Sequence, residues 1–521
     1  MRPDRTPLKL PVWLGPVLAA FGWWLALAWL APPAVVPADA PDDVFSGARA
    51  VQALSRVLGD ERAHPVGTPA NRAVEARIVA ELTALGLPVT VEEDPICAEH
   101  CARIRNLLVE IPGTEPLPPV LLSVHYDSVA SGPGAGDDGS GVGTLLELAR
   151  LLSAHPPRRP ALLLFNEGEE AGLLGAQTFV GRGHDVAAVI NLEARGTGGN
   201  AFLFELKGAA LPWVRRYAPH ATAPSVSSLY TAIYALLPNN TDATVYGRDL
   251  PVANVAFLGG GVRYHTPVDD LAHLDPDSVQ HLGEQALALF RGLQDDDLSD
   301  LRGTAPGVFW DVGFTVLRFD PLPFRVFVLA LFLATLGSAV YRGQGLRSFG
   351  VSLALPLVAA GTAALASALL HALGAQWLGV PAVPFLGLVA SSFAWAQLGA
   401  RWTEDTWMGP ALLCAGLALL LALFLPEGSY LFAQPALLLL LAVWLPWRPG
   451  APVLGLVASL PLLHVAAGLV HALGLSAPLL AGTAALALVP QLPAWRSPEP
   501  RLLAGSFVTA GALLLATLGL P

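Results

Sequence analysis

After Asp320 the chain almost stops carrying charge, and that limits what it can fold into. Eight apolar runs follow, at about 324–340, 349–373, 383–400, 408–425, 430–445, 453–470, 475–489 and 502–520. Each is long enough, or nearly so, to cross the roughly 30 Å of bilayer hydrocarbon as a helix. The loops between them alternate. One set carries Arg342 and Arg347, then Arg401, then Arg448, then Arg496 and Arg501, while the other set carries neither Lys nor Arg. Only His371 and His464 lie well inside the runs, with His471 at a boundary and no Asp, Glu, Lys or Arg. A pump or ion-coupled carrier needs ionisable groups within the membrane, and no such relay is visible.

Nearly all the acid lies before Asp320. Charged residues make up 14% of the 521 and hydrophobic ones 53%, against a usual quarter charged. The imbalance is regional, so a soluble domain joined to a membrane domain is expected. The net charge of −11 sits mostly on the soluble part and argues against a nucleic-acid partner. At the N-terminus, Arg2, Arg5 and Lys9 precede an apolar run at 12–31. This run exceeds the apolar core of a usual signal peptide, and PPAVVPADAPDD offers a weak cleavage site, so an uncleaved anchor is expected. Basic residues before it and acidic ones after it put the N-terminus in the cytoplasm and residue 40 onward outside. The later loops, treated independently, place their arginines inside on the same topology. The expected organisation is a cytoplasmic terminus and anchor at 1–40, a soluble domain at 41–298, a linker at 299–322 and a membrane domain of about eight helices at 323–521.

Three cysteines make no disulfide scaffold. Cys414 lies in an apolar run and reads as inert packing. Cys97 and Cys101 flank Ala98, Glu99 and His100. They lack a full metal-ligand set, and a local disulfide is the better expectation in an oxidising compartment.

The soluble part has α/β periodicity. Residues 44–58, 68–85, 141–154 and 277–293 carry helical spacing, with Pro276 at the start of the last. Short apolar runs bounded by Pro or Gly, at 89–91, 107–111, 120–124, 161–165, 186–192, 201–206 and 252–258, read as strands. Strands alternating with helices imply a mostly parallel mixed sheet covered by helices on both faces.

The chemistry gathers where buried strands run out into turns. SVHYDS brings His125 and Asp127, which share a face on a strand; one can ligate while the other orients it. GPGAGDDGSG carries Asp137 and Asp138 to a helix start, where a carboxylate can bridge two metals or simply cap. LLLFNEGEE ends in Glu169 and Glu170, which point different ways, so one can bind metal while the other acts as base. INLEA holds a buried acid, Glu193, and GVRYHTPVDD sets His265 beside Tyr264. Imidazole and carboxylate donors of this kind suit Zn²⁺. His184, His220, His273 and His281 lack such settings and read as surface or structural.

The order HYD, GAGDDGSG, NEGEEAGLLGA, INLEARG and YHTPVDD resembles the dizinc metallo-exopeptidases, a family of aminopeptidases and glutamate carboxypeptidases. With several membrane spans and the segment LPNNTDATVYGRDLPVANVAFL, it is most similar to the branch of endoplasmic reticulum metallopeptidases and vacuolar membrane proteases. The resemblance covers about residues 50–294; the membrane half is alike only in hydropathy and position. It implies two zinc ions per chain: one held by His125 and Glu193, the other by Glu170 and His265, with Asp137 bridging them. It further implies Glu169 as general base towards a zinc-bound hydroxide, Asp127 orienting His125, and a cis peptide between Asp137 and Asp138. Glu193 stands where many members have Asp, which changes reach but not donor type. Tyr264 or Tyr230 are candidates for stabilising an oxyanion, and Asn239 to Asp242 are either a helix cap or pocket lining. The expected activity is hydrolysis of peptides, as an aminopeptidase, by an integral membrane protein with its site outside the cytoplasm or in a lumen. The competing expectations are a carboxypeptidase or amidohydrolase on the same metals, and a transporter or scaffold whose soluble domain only binds.

Overall fold

In the computed structural model, the residues described are 21–22, 24–26, 28–97, 101–343, 346–372, 407–444, 451–473, 486 and 489–490. The chain divides into two compact units, one spanning Ala31–Pro321 and the other Met1–Leu30 with Leu322–Pro521.

The first unit is built on seven strands: β1 (Thr90–Cys97), β2 (Cys101–Ile111), β3 (Val120–His125), β4 (Ala161–Asn166), β5 (Ala188–Ala194), β6 (Gly198–Lys207) and β7 (Val252–Gly259). They form one sheet in the order β1-β2-β4-β3-β5-β7-β6. The central four run parallel, and β1, β2 and β6 join antiparallel at the two ends. The sheet is therefore mixed, with its parallel part in the middle. Strand direction explains this: β1–β2 is a hairpin, which forces one reversal, whereas the central strands are linked through helices.

Eight helices accompany the sheet: α1 (Gly47–Leu58), α2 (Pro69–Ala84), α3 (Gly139–Ala154), α4 (Leu174–Arg182), α5 (Ala210–Tyr217), α6 (Ser228–Tyr234), α7 (Asp242–Tyr246) and α8 (Pro276–Gly292). Several begin as their sequences dictate. Ser46 and Thr68 cap α1 and α2 with their hydroxyls, and Asp275 caps α8 ahead of Pro276. Period-two alternation divides the central strands between two cores. Leu122, Val124, Leu163, Phe165, Ile190 and Leu192 face one core with α1, α3 and α8. Leu121, Leu164 and Val189 face the other with Phe179 of α4 and Val245 and Tyr246 of α7.

Two stretches differ from expectation. β1 and β2 extend well past their apolar residues, because their outer halves pair as polar, two-sided strands closed by a Cys97–Cys101 disulfide. His100 lies outside the described residues. The segment 299–322, expected as a linker, folds into a second, two-stranded sheet of β8 (Val308–Asp311) and β9 (Val316–Phe319).

In the second unit, five of the eight expected apolar runs fall on helices: α9 (Pro321–Arg342), α10 (Leu346–Ala372), α11 (Met408–Phe424), α12 (Tyr430–Trp444) and α13 (Ala451–Leu473). Among the described residues one helix, α9, is long and apolar enough to cross a membrane. The runs at 383–400 and 502–520 lie outside the described residues, as do most of 475–489 and much of the anchor at 12–31.

Candidate metal centre

The parallel strands all point their carboxyl ends the same way, and the turns beyond those ends meet in one place. His125 closes β3, Glu193 sits near the end of β5, and Glu169 and Glu170 follow β4 through a turn at Gly168. Asp137 comes from the loop into α3, and His265 from the loop after β7. Sequence separations of up to 128 residues thus collapse to hydrogen-bonding distances.

Asp137 lies at the middle. Its Oδ1 is 3.3 Å from His125 Nε2, and its Oδ2 is 3.1 Å from His265 Nε2. On the first side Glu193 Oε2 lies 3.8 Å from the same His125 nitrogen. On the second, Glu170 Oε1 lies 3.1 Å from His265 Nε2. Two clusters result, His125–Asp137–Glu193 and Asp137–Glu170–His265, each with donor atoms within 4.8 Å of one another. The donor chemistry fits zinc on both sides. Electrostatics favours a cation there too. No Lys or Arg pairs with Asp137, Glu169, Glu170 or Glu193 among the described residues, and buried carboxylates need a counter-charge.

Burial and close neighbours shift the acids of the site in different directions. Burial, reinforced by Glu193, Asp242 and Asp137, pushes the Glu169 carboxyl well up. Burial does the same to Glu193 and, less strongly, to Glu170. Asp137 goes the other way: burial is outweighed by hydrogen bonds from His125 and His265, which hold it below the ordinary carboxylate range. Burial opposes protonation of His265, but Asp137 and Glu170 outweigh it and raise its pKa to about 10.

The supports are specific. Asp127 Oδ1 accepts from the Gly168 and Glu169 N–H groups at 2.7 and 3.1 Å, and Oδ2 accepts from Glu170 N–H at 3.2 Å. Its carboxylate therefore fixes the turn that presents both glutamates. His125 Nδ1 lies 3.1 Å from the Asp127 main-chain carbonyl and 3.6 Å from its carboxylate. Asp138 caps α3 through Gly141 N–H and reaches the His125 N–H at 3.4 Å; the Asp137–Asp138 peptide is cis. His265 takes a left-handed φ of 58°, which costs a non-glycine residue about 1–2 kcal/mol. Tyr264 stacks on the His265 ring at 3.8 Å, and burial together with four site carboxylates keeps its phenol protonated. Tyr230 packs edge-on against Phe202 of β6.

Other residues of the site have no cluster signature in the sequence. Asp269 accepts from Gly136 N–H at 2.7 Å and Asp137 N–H at 3.3 Å, so it clamps the loop that carries the central carboxylate. It was visible only as one half of the VDD in GVRYHTPVDD. Asp242, the first residue of α7 after its Thr241 cap, is buried and accepts from Asn166 at 2.6 Å. Asn191 donates to Glu193 Oε1 at 3.1 Å and is joined to Asn254 on the neighbouring strand at 3.2 Å. Tyr234, at the end of α6, feels the charges of Glu205, Glu193 and Glu169. Four further histidines serve elsewhere: His184 on Glu92, His273 on Asp270, His281 buried in α8, and His220 exposed.

Comparison with known proteins points the same way. The sequence profile of peptidase family M28 matches residues 106–290. The vacuolar membrane protease of Schizosaccharomyces pombe is 31% identical over 244 residues, covering 44% of this chain and 29% of that protein. The vacuolar membrane protease of Neosartorya fischeri is 40% identical over 187 residues, covering 34% and 19%. The chain thus spans less than a third of the length of these relatives. Among solved structures, a Zn-dependent exopeptidase from Parabacteroides distasonis is similar at 22% identity and a TM-score of 0.39, over 47% of this chain and 98% of that one. Residues 106–290, the stretch that carries both clusters, therefore form a peptidase family M28 domain.

Proposed function

We infer that this chain is a membrane-held, zinc-dependent metallopeptidase that removes residues from the free amino end of peptides, with two zinc ions per chain. The observation that carries this is the divided Asp137 carboxylate, one oxygen facing His125 with Glu193 nearby, the other facing His265 and Glu170. His125 and Glu193 would hold one ion, Glu170 and His265 the other, with Asp137 shared. Zinc, when bound, supplies a water of lowered pKa and a positive charge for the carbonyl oxygen.

The protein's own groups do the rest. Glu169 carries no ligand duty in this arrangement, and burial raises its proton affinity, as a general base needs. It takes the proton of the attacking water and returns it to the leaving amine. Asp127 keeps Glu169 in line by holding its backbone N–H. Tyr264, whose phenol burial and the site carboxylates keep protonated, would donate to a developing oxyanion.

The proposed organisation is a peptidase domain at 41–298 and a multi-pass membrane domain at 323–521, with the N-terminus cytoplasmic and the peptidase outside the cytoplasm or in a lumen. The Cys97–Cys101 disulfide supports that side, since disulfides persist in oxidising compartments. The test is metal content and hydrolysis of a panel of free-amine and N-blocked peptides, with wild type beside Glu169→Ala. Two zincs in both proteins, and cleavage of free-amine peptides lost only in the variant, is the expected result. Cleavage confined to blocked substrates would move the assignment to a carboxypeptidase or amidohydrolase. Zinc without turnover of anything would leave a binding or scaffold role.

A further inference from the structure

A row of buried polar side chains crosses the sheet from the first metal cluster to its edge strand, β6. Asn191 of β5 and Asn254 of β7 are register partners, and Glu205 of β6 is the partner of Asn254 on its other side. All three are buried. Asn191 Nδ2 spends its two hydrogens on Glu193 Oε1 at 3.1 Å and Asn254 Oδ1 at 3.2 Å. Asn254 Nδ2 spends its own on Glu205 Oε2 at 3.1 Å and Thr241 Oγ1 at 2.9 Å. Lys207 Nζ, on a half-buried side chain, closes the row on Glu205 Oε1 at 2.7 Å.

A carboxylate accepts hydrogen bonds and gives none. With Glu205 at one end, Asn254 must turn its amide nitrogen towards it and its carbonyl towards Asn191. Asn191 then gives one hydrogen to that carbonyl and has the other left for Glu193. The charge at 205 therefore fixes which way an amide two strands away points. The consequence falls on the metal cluster. Glu193 Oε1 is held by Asn191, while Oε2, 3.8 Å from His125 Nε2, is left for an ion.

Two features of the fold set this row apart from ordinary packing. The first is a bulge in β6. Leu203 opposes Val255 and Glu205 opposes Asn254, so Phe204 is the extra residue. Without the bulge, Phe204 would oppose Asn254 and Glu205 would turn to the other face of the sheet. Bulges beside active sites re-aim side chains in this way. The second is Asn191 Oδ1, which is buried with no hydrogen-bond partner among the described residues. An orphaned carbonyl is a cost, so the orientation of Asn191 is set by its neighbours and not by its own needs.

We propose that Glu205 is a positioning residue for the first metal cluster: through Asn254 and Asn191 it holds Glu193 with Oε2 turned to the ion shared with His125. This rests on the dizinc reading above.

The test is zinc affinity of the full chain in detergent, by competition with a chromophoric chelator, in two backgrounds. His265→Ala retains the His125–Asp137–Glu193 cluster, and His125→Ala retains the Asp137–Glu170–His265 cluster. Glu205→Gln should weaken zinc about ten-fold in the first background and leave the second within about two-fold. In a double-mutant cycle with Asn191→Ala in the first background, the two losses should be less than additive. Equal weakening in both backgrounds, no weakening in the first, or additive losses would overturn the role of Glu205 and leave both metal sites standing. Should Glu205→Gln not fold, Lys207→Met at the half-buried end of the row is read in its place. A smaller loss, in the first background alone, is then expected, and no loss there overturns the inference. A wild-type chain with fewer than two zincs, or a first background with none, would remove the metal site that the dizinc reading supplies, and this inference with it.

Discussion

At the scale of single residues, Glu169, the proposed general base, and its neighbour depend on a side chain that sits 42 positions earlier, counted from Asp127 to Glu169. Asp127 accepts three backbone N–H groups from the Gly168–Glu170 turn. In Asp127→Asn one acceptor oxygen becomes a donor and faces a backbone donor. A loss of about 2–3 kcal/mol in stability is expected, measured by urea unfolding of the purified protein, with activity falling alongside it. Glu169→Gln should act differently. It keeps the turn and the metal donors, so zinc content and melting temperature should hold while turnover falls about 10²–10⁴-fold. The residues of the two clusters were legible in the sequence, because zinc chemistry restricts residue type and five short motifs supplied suitable types at strand ends. Asp269 was not legible, and Asp242 only as part of a helix cap or pocket lining. Their role comes from bonds to Gly136, Asp137 and Asn166 across more than 70 residues, and an Asp in a turn has no distinguishing signal.

At the scale of elements, α8 carries a pH response. His281 Nδ1 accepts from Ala201 N–H at 3.0 Å, and its Nε2 lies 2.8 Å from the Ala223 carbonyl. The ring is thus fixed as one neutral tautomer, and burial lowers its pKa from 6.5 to about 4. Above pH 6.5 both folded and unfolded forms are neutral, and its full stabilisation is present. Between pH 6.5 and about 4 only the unfolded chain takes up the proton, so stability declines as pH falls, by up to about 3 kcal/mol. His281→Gln should flatten that limb of a stability–pH curve. The Gly136 loop is the second sensitive element. A Cβ there would stand 2.1 Å from the Gly196 carbonyl oxygen and 2.9 Å from Asp269 Oδ1. Gly136→Ala should therefore cost about 1–3 kcal/mol and weaken zinc binding in a chelator competition. Apolar periodicity located the sheet and the larger helices, since buried strands and amphipathic helices both write their periods in the sequence. It missed the outer halves of β1 and β2, which are polar on both faces, and the β8–β9 hairpin, whose four-residue strands are too short to show a period.

At the scale of the whole molecule, metal and fold should be linked. A zinc ion at a thousand times its dissociation constant adds about 4 kcal/mol to a folded state that alone binds it. Calorimetry with chelator, and then with zinc restored, should show the transition of the peptidase domain fall and recover. The membrane helices should be indifferent. The connection between α6 and α7 has a different kind of consequence. Leu236, Pro238, Asn239 and Asn240 are exposed there, and the stretch divides the site unequally. His125, Asp137, Glu169, Glu170 and Glu193 precede it, while His265 and Asp269 follow, together with β7, which fits between β5 and β6. Cutting the gene at that point would make two polypeptides, neither able to assemble both metal clusters. On the proposed topology each would keep its own membrane segment, so the halves would meet in two dimensions rather than three. Such a pair is the design of a split reporter: recovered peptidase activity would register when two membrane proteins fused to the halves come together.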